Sequence, residues 1–451
     1  MNHFEDTICA PATAVGGGAV SVIRVSGPEA LRLADAVVRF RSGTALSSRG
    51  YALKYGTVQD VDEVLVGIFR APRSYTGEDS VEISCHASRY IVEKILQLLV
   101  AAGCRMAEPG EFTRRAFVNG KMDLSQAEAV ADLIASGSEA SHKVALSQLK
   151  GAYSSELKQL REELLNIASL LELELDFSEE EVEFADRAHL KELLDMVTAH
   201  VGKLVESFRT GNAIKNGVPV AIAGAVNAGK STLLNALVGE DRAIVSDIPG
   251  TTRDTIEETV TLGGILFRFI DTAGLRESTD AIEKKGIERS YSSIDKAQII
   301  LGVLDGCAAP EDVKNTADMI ASHVAGTGKK LILLRNKADI CDTSVPKDPA
   351  ILDISAKTGE GLDALKTRLV DAAGFSDWNG RTLVTNLRHY EALQRALESL
   401  RQVSAGLERN SPTDLLAQDL REAISELGSI FGTVTSNEVL ENIFSKFCIG
   451  K

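Results

Sequence analysis

Residues 218–237 read VPVAIAGAVNAGKSTLLNAL. An apolar, β-branched run leads into a glycine-bounded turn and then a leucine-spaced run, the order expected of strand, loop and helix. The turn from Gly224 through Asn227, Ala228, Gly229, Lys230 and Ser231 fits G-x-x-x-x-G-K-[ST], and Thr232 follows at once. Its glycines let backbone N–H groups curl round phosphate oxygens, Lys230 reaches the β- and γ-phosphates, and the Ser231 hydroxyl suits Mg2+. A glycine-rich turn before a helix is the plainer alternative, and three further motifs downstream in the chain weigh against it.

Working outward, Asp271-Thr272-Ala273-Gly274 follows the apolar run ILFRFI, where an Mg2+-side carboxylate and a γ-phosphate-sensing glycine are required. Asn336-Lys337-Ala338-Asp339 follows LILLR, and a carboxylate there accepts from guanine N1–H and its 2-amino group, a donor pair that adenine lacks. Ser355-Ala356-Lys357 follows a further run, placing a backbone N–H for the guanine O6. Four motifs at successive strand ends meet at the ligand edge of an open α/β sheet, which implies a GTPase. Between the first two lies Ser246-Asp247-Ile248-Pro249-Gly250-Thr251-Thr252, the place for a switch threonine that completes the Mg2+ shell; Thr252 is the candidate. Leu275 follows the Asp-Thr-Ala-Gly motif and cannot orient water. The residues alone leave Glu277, Asp280 and Glu283 as open candidates for that task.

The rest of the chain sets limits. Its 451 residues exceed one ordinary domain, and 44% hydrophobic with 25% charged residues is globular composition. A formal charge of −15 argues against a broad, non-specific nucleic-acid binder, though not against a local basic patch. No apolar stretch is long enough to span a membrane, and the N-terminus lacks a basic-then-apolar signal pattern, so a cytoplasmic protein is expected. Cys9, Cys85, Cys104, Cys307, Cys341 and Cys448 are never spaced C-x-x-C. That suits a reducing cytosol, speaks against zinc or a disulfide framework, and leaves all but Cys448 reading as small apolar residues.

Runs such as 19–27, 51–59, 63–71 and 79–88 predict strands, and 89–102 a helix ended by Gly103, so residues 1–119 form an α+β domain. Segments 120–215 and 376–451 are nearly free of proline and rich in leucine and charge, which predicts helices; LELELDF at 171–177 alternates like a strand but is read as helix. An α/β domain, 216–375, lies between them. The expected whole is a multidomain α/β protein whose P-loop GTPase domain is inserted into a discontinuous helical domain.

With SVIRVSG, SYTGEDSVEI, PGEFTRRAFVNGKMDLSQAEA, GAVNAGKSTLLNAL, SDIPGTTRD, DTAGLRESTDAIEKKGIERS and the terminal FCIGK all present, the chain resembles the MnmE (TrmE) family of tRNA-modification GTPases over its whole length. The resemblance implies an N-terminal domain that binds 5-formyl- or 5,10-methylene-tetrahydrofolate, with Arg24, Glu82, Lys121 and Lys451 at the matching positions. It implies K+ beside the phosphate loop, held by Asn227, Ser246, Ile248 and Thr251, and Glu283 as the acid that orients water. It places Cys448 near the folate. It also implies a homodimer that works with the FAD-dependent MnmG to add an aminomethyl-type group at C5 of the wobble uridine of certain tRNAs. Ser246 stands where some relatives have Thr, and Pro249 follows Ile248 directly; both keep oxygen ligands for a monovalent cation. A ribosome- or rRNA-bound switch GTPase shares the four motifs, but net acidity and the lack of a basic appendage disfavour it. A lone folate-dependent aminomethyltransferase leaves the GTPase domain without a purpose.

Overall fold

The structure is a computed structural model that describes residues 5–14, 17–176, 187–240, 257–270, 294–341, 348–374, 382–409 and 411–450. The chain forms two compact units, one of Met1–Ala131, Gln148–Asn166 and Arg421–Lys451, the other of Asp132–Ser147 and Ile167–Leu420.

The elements of the N-terminal region are β1 (Ile8–Pro11), β2 (Val20–Ser26), α1 (Ala30–Val37), β3 (Arg39–Phe40), β4 (Ala52–Val58), β5 (Asp62–Phe69), β6 (Ser80–His86), α2 (Arg89–Ala102), β7 (Arg105–Met106) and α3 (Glu111–Val118). Its sheet has seven strands in the order β3-β4-β5-β6-β2-β1-β7. Alternation decides which face is buried: along β5, Val64, Val66 and Ile68 point inward while Leu65 faces out. The inward residues join Val81 and Ile83 of β6, Leu31 and Leu33 of α1, and Val92, Ile95 and Leu99 of α2 in one core. Gly103 closes α2 at φ +122°, its N–H donating back to the carbonyls of Leu99 and Val100. The expected strands and this helix are all present. β1, β3, β7, α1 and α3 were not foreseen.

Helices α4 (Leu124–Ala135), α5 (Glu139–Leu149), α6 (Ala152–Asp176) and α7 (Arg187–Asn216) follow. The alternating LELELDF segment is helical as far as Asp176. Next come β8 (Val218–Gly224), α8 (Lys230–Glu240), β9 (Glu258–Leu262), β10 (Ile265–Phe269), β11 (Ile299–Asp305), α9 (Pro310–Val324), β12 (Lys330–Asn336), β13 (Ile351–Asp353) and α10 (Leu362–Ala373). The chain continues through α11 (Leu387–Glu408), α12 (Thr413–Phe431) and α13 (Asn437–Phe444).

The second sheet runs β13-β12-β11-β8-β10-β9 and is parallel except for the antiparallel edge strand β9. Its central strands are apolar on both faces because both are covered. One face of β8, β11 and β12 packs Val220, Ile222, Leu301, Val303 and Leu334 against α8 and α10; the other packs Ala221, Ala223 and Ile300 against Ile320 and Val324 of α9. The chain leaves β8 toward β10 on one side, while β11 lies on the other. That reversal makes the C-terminal end of β8 a topological switch point, where open α/β sheets bind ligands.

Candidate functional site

The turn after β8 is shaped by close approach. A Cβ on Gly224 would lie 2.2 Å from the Val303 carbonyl oxygen, and one on Gly229 would lie 2.2 Å from Asn336 Nδ2. Asn227 and Gly229 take positive φ, +62° and +91°, which turns successive amides into a concave nest. Lys230 Nζ donates to the carbonyls of Gly224 and Ala225 at 2.9 and 2.7 Å, so its ammonium lies across the nest, and burial lowers its pKa. Ser231 and Thr232 are exposed at the first turn of α8.

One side chain joins three motifs. Asn336, buried at the end of β12, donates through Nδ2 to the Ala228 carbonyl at 2.8 Å and accepts at Oδ1 from the Ala356 N–H at 2.9 Å. Asp339 is exposed and accepts at Oδ1 from Ser355 Oγ at 2.7 Å, which fixes one carboxylate oxygen. Ala338 N–H donates to the Ile354 carbonyl, and Arg335 grips Asp353 with two bonds of 2.6 and 3.0 Å, so β13 and the turn after it are held beside β12. Lys357 is exposed next to them. The phosphate loop, the Asn-Lys-Ala-Asp loop and the Ser-Ala-Lys loop thus form one edge, a phosphate cradle at one end and a carboxylate at the other.

A second cluster lies in the N-terminal unit. Arg24 and Glu82 are directly opposite on β2 and β6, and Arg24 Nε donates to Glu82 Oε1 at 3.0 Å. The Arg24 guanidinium sits 5.2 Å from the Tyr75 ring centroid and 5.6 Å from that of Phe112, and it also donates to the Gly450 carbonyl at 3.4 Å. Burial raises the Tyr75 phenol pKa, against a hydrogen bond with Thr113 and the nearby Arg24 charge. Lys121 Nζ donates to the Pro72 carbonyl at 2.9 Å, at the start of the loop that carries Tyr75. The C-terminal segment is pinned here. Phe444 packs with Leu124 and Ala127, Gly110 N–H reaches the Cys448 carbonyl at 3.4 Å, and Gly450 leaves no room for a Cβ against Pro11. Cys448 itself is exposed.

The family model described as "GTP-binding protein TrmE N-terminus" matches residues 7–121, and "MnmE helical domain" matches 124–448. A tRNA modification GTPase MnmE of Bacteroides fragilis (strain YCH46) is 52% identical over 466 aligned residues, covering 99% of this chain and 100% of that protein. The protein of the same name from Flavobacterium johnsoniae is 48% identical over 465, covering 99% of each. The chain belongs to the MnmE family. It is a GTPase with a TrmE-type N-terminal domain, a helical domain and a P-loop α/β sheet.

Of the residues assigned from the MnmE resemblance, Arg24, Glu82, Lys121, Cys448 and the phosphate-loop Asn227 lie in these two clusters, with Lys121 and Asn227 exposed. Arg24 and Glu82, given separate contacts by the resemblance, are paired with each other. Ser246, Asp247, Ile248, Pro249, Gly250, Thr251, Thr252, Asp271, Thr272, Ala273, Gly274, Leu275, Glu277, Asp280, Glu283 and Lys451 lie outside the described residues.

Two features went unforeseen. Asp305, the last residue of β11, accepts from Lys337 Nζ at 2.7 Å and orients the lysine of the guanine motif. Burial would raise the Asp305 carboxyl, but hydrogen bonds from Lys337 and the Cys307 amide hold it below the usual carboxylate range. Its position at a strand end, like those of the other motifs, was the available signal. The second feature corrects an expectation: Cys307 and Cys341, read as small apolar residues of a chain without disulfides, are joined by one. They are 34 residues apart in sequence, but β11 and β12 pair in register at Asp305↔Asn336, which carries their following turns side by side.

Proposed function

We propose that the chain is a K+-stimulated, guanine-specific GTPase that acts as a homodimer with an FAD-dependent MnmG-type partner in the cytoplasm. Together they add an aminomethyl-type group, carboxymethylated or not, at C5 of the wobble uridine of certain tRNAs. The observation that carries the nucleotide reading is Asn336, whose single amide ties the phosphate loop to both base-recognition loops. Lys230, now bonded to carbonyls of its own loop, would turn to the β- and γ-phosphates; Asp339 would read the guanine edge, and the Ala356 region its O6. Mg2+ would be held by Ser231 and Thr252, and K+ by Asn227 with Ser246, Ile248 and Thr251; both supply positive charge where phosphoryl transfer develops negative charge. The exposed Asn227 and Ser231, oxygen donors beside the nest, support that reading. Glu283 would orient the attacking water.

In the N-terminal unit, a reduced folate, when bound, supplies a one-carbon unit. Arg24, with Lys121 and Lys451, would meet its anionic tail and Glu82 its pterin amide edge, with Cys448 nearby. The aromatic rings flanking Arg24 and the pinned tail support this placement. Leu53, Tyr55 and Leu65 are exposed on one face of β4 and β5, which supports dimerisation through residues 1–119. Residues 120–215 and 376–451 are read as the discontinuous helical domain, and 216–375 as its insert.

The test is turnover of GTP and ATP by the full chain in matched KCl and NaCl. GTP hydrolysis at least tenfold faster in K+, with little ATP turnover, is the expected result. Equal rates in both salts would remove the cation, and equal turnover of ATP would remove the guanine reading.

A further inference from the structure

We propose that Cys307 and Cys341 form a reversible thiol-redox site that sets how tightly the guanine-reading loop holds its base. The proposal rests on the nucleotide reading under Proposed function.

The cross-link joins the turn after β11 to the turn after β12, with Cα atoms 5.1 Å apart. Between the two turns lies the lysine of the guanine motif. Lys337 has φ +70°, and the amides of Ile340 and Cys341 both donate back to its carbonyl at 3.1 and 3.2 Å. Lys337 Nζ is held by Asp305 Oδ2 at 2.7 Å, while Asp305 Oδ1 accepts the Cys307 amide at 3.0 Å. Gly306 N–H donates to the Asn336 carbonyl at 3.0 Å, and a Cβ on Gly306 would lie 2.6 Å from that oxygen and 3.2 Å from Cys341 Sγ. Each cysteine is therefore one or two bonds from a residue that shapes the base site. The disulfide closes a small ring of contacts through Asp305, Lys337 and Asn336.

Cys307 is exposed, so a thiol reductant reaches it. Cys9, Cys85 and Cys104 are buried, and burial raises the Cys85 thiol to about 11, so these do not compete; Cys448 is exposed, and the double variant below, which keeps it, separates its response. In a reducing compartment a disulfide is transient, and an exposed one beside a ligand site is placed to report redox state. Reduction breaks the S–S bond and gives two thiols. The two electrons and two protons come from a dithiol, which closes to its own disulfide.

The direction of the effect is set by pre-organisation. Cross-linked, the two turns are already ordered when the base arrives. Reduced, ordering a few rotors falls to the binding step, which weakens binding roughly three- to tenfold. The phosphate loop carries no cysteine and meets this ring at the Asn336 side chain, on a residue that the β11–β12 ladder holds with or without the cross-link, so affinity for an anion that uses only that loop stays unchanged. By linkage, bound guanosine diphosphate shifts the thiol–disulfide equilibrium toward the disulfide by the same factor.

The test is equilibrium dialysis of the full chain with guanosine diphosphate and, separately, with pyrophosphate. Protein is oxidised or reduced with dithiothreitol, and the cross-linked peptide is quantified by mass. Expected is a three- to tenfold loss of diphosphate nucleotide affinity on reduction, with pyrophosphate unmoved. The double variant Cys307→Ser/Cys341→Ser should bind like the reduced protein and ignore reductant. Nucleotide affinity equal in both redox forms, with the peptide shown to convert, overturns the redox site and leaves the nucleotide reading intact. Parallel losses for nucleotide and pyrophosphate also overturn it, since the disulfide would then serve the fold alone. If neither form binds guanosine diphosphate, both readings fall.

Discussion

Asp339 shows how one carboxylate can be given a direction. Ser355 Oγ holds its Oδ1 at 2.7 Å, and the residue is otherwise exposed, which leaves the group aimed outward for a donor pair. Replacing Asp339 with Asn keeps the size but puts an amide donor where guanine presents donors. Loss of charge-assisted bonds worth about 1.5–3 kcal/mol corresponds to roughly 10- to 150-fold weaker GTP binding. Xanthine presents an acceptor at the 2-position, so xanthosine triphosphate should gain as GTP loses. Competition binding of the two nucleotides checks this, and unchanged GTP affinity would displace Asp339 from base recognition. At this scale much was legible. Each guanine-site motif is local in sequence and sits where a strand must end. Arg24 opposite Glu82 and Cys307 beside Cys341 were not legible, because only strand register brings together residues 58 and 34 positions apart.

Among elements, α3 stands out for what it buries. Arg115 on this helix has no exposed side-chain surface and pairs with Asp6 at 2.7 Å, Glu78 at 3.2 Å and Glu111 at 3.0 Å. Glu111 also accepts from Arg105 at 2.6 Å. Burial would raise the Glu111 and Asp6 carboxyls, but the hydrogen bonds from Arg105 and Arg115 hold both below their ordinary values. A depressed carboxylate stabilises the fold above its unfolded-state pKa, about 4 for these groups, and that contribution is lost as pH falls below it through the folded values. Glu111→Gln removes one partner from a buried charge, which costs about 3–5 kcal/mol at neutral pH. Urea unfolding of the full chain, followed by circular dichroism, should show that gap at pH 7 and a narrower one below pH ~4. A gap constant with pH would mean that Glu111 acts by shape and not by charge. The strands missed at the N-terminal sheet share a cause. β1 has four residues and β7 two, too short for any period to register, and their pairing partners define them. The helix α9 has Pro310 at its start and acidic residues in its first turn, a signal that was present but passed over between two strong strands.

At the scale of the whole molecule, two side-chain clusters sit in one chain. The guanine edge belongs to one compact unit, while the Arg24 cluster and the C-terminal tail belong to the other. The tail is not a loose end. Leu440, Ile443 and Phe444 are buried and hold the segment that presents Cys448. Most strands of the GTPase domain, with the helices after the phosphate loop and after β13, were legible because their apolar runs alternate with helical ones, while β9 and α9 were not. The grouping of segments 148–166 and 421–451 with the N-terminal sheet was not, because leucine-rich helices look alike in sequence whatever they pack against. The assignment of both units to one task is tested most directly by nucleoside mass spectrometry of tRNA. The samples come from cells lacking this protein, complemented with the wild type, with Lys230→Ala or with Cys448→Ser. Expected is loss of the C5-modified wobble uridine in the deletion and recovery with the wild type alone, while purified Cys448→Ser protein still hydrolyses GTP at close to the wild-type rate. A full complement of the modified uridine in the deletion strain would contradict the tRNA assignment, and full recovery with Cys448→Ser would contradict a chemical role for the tail.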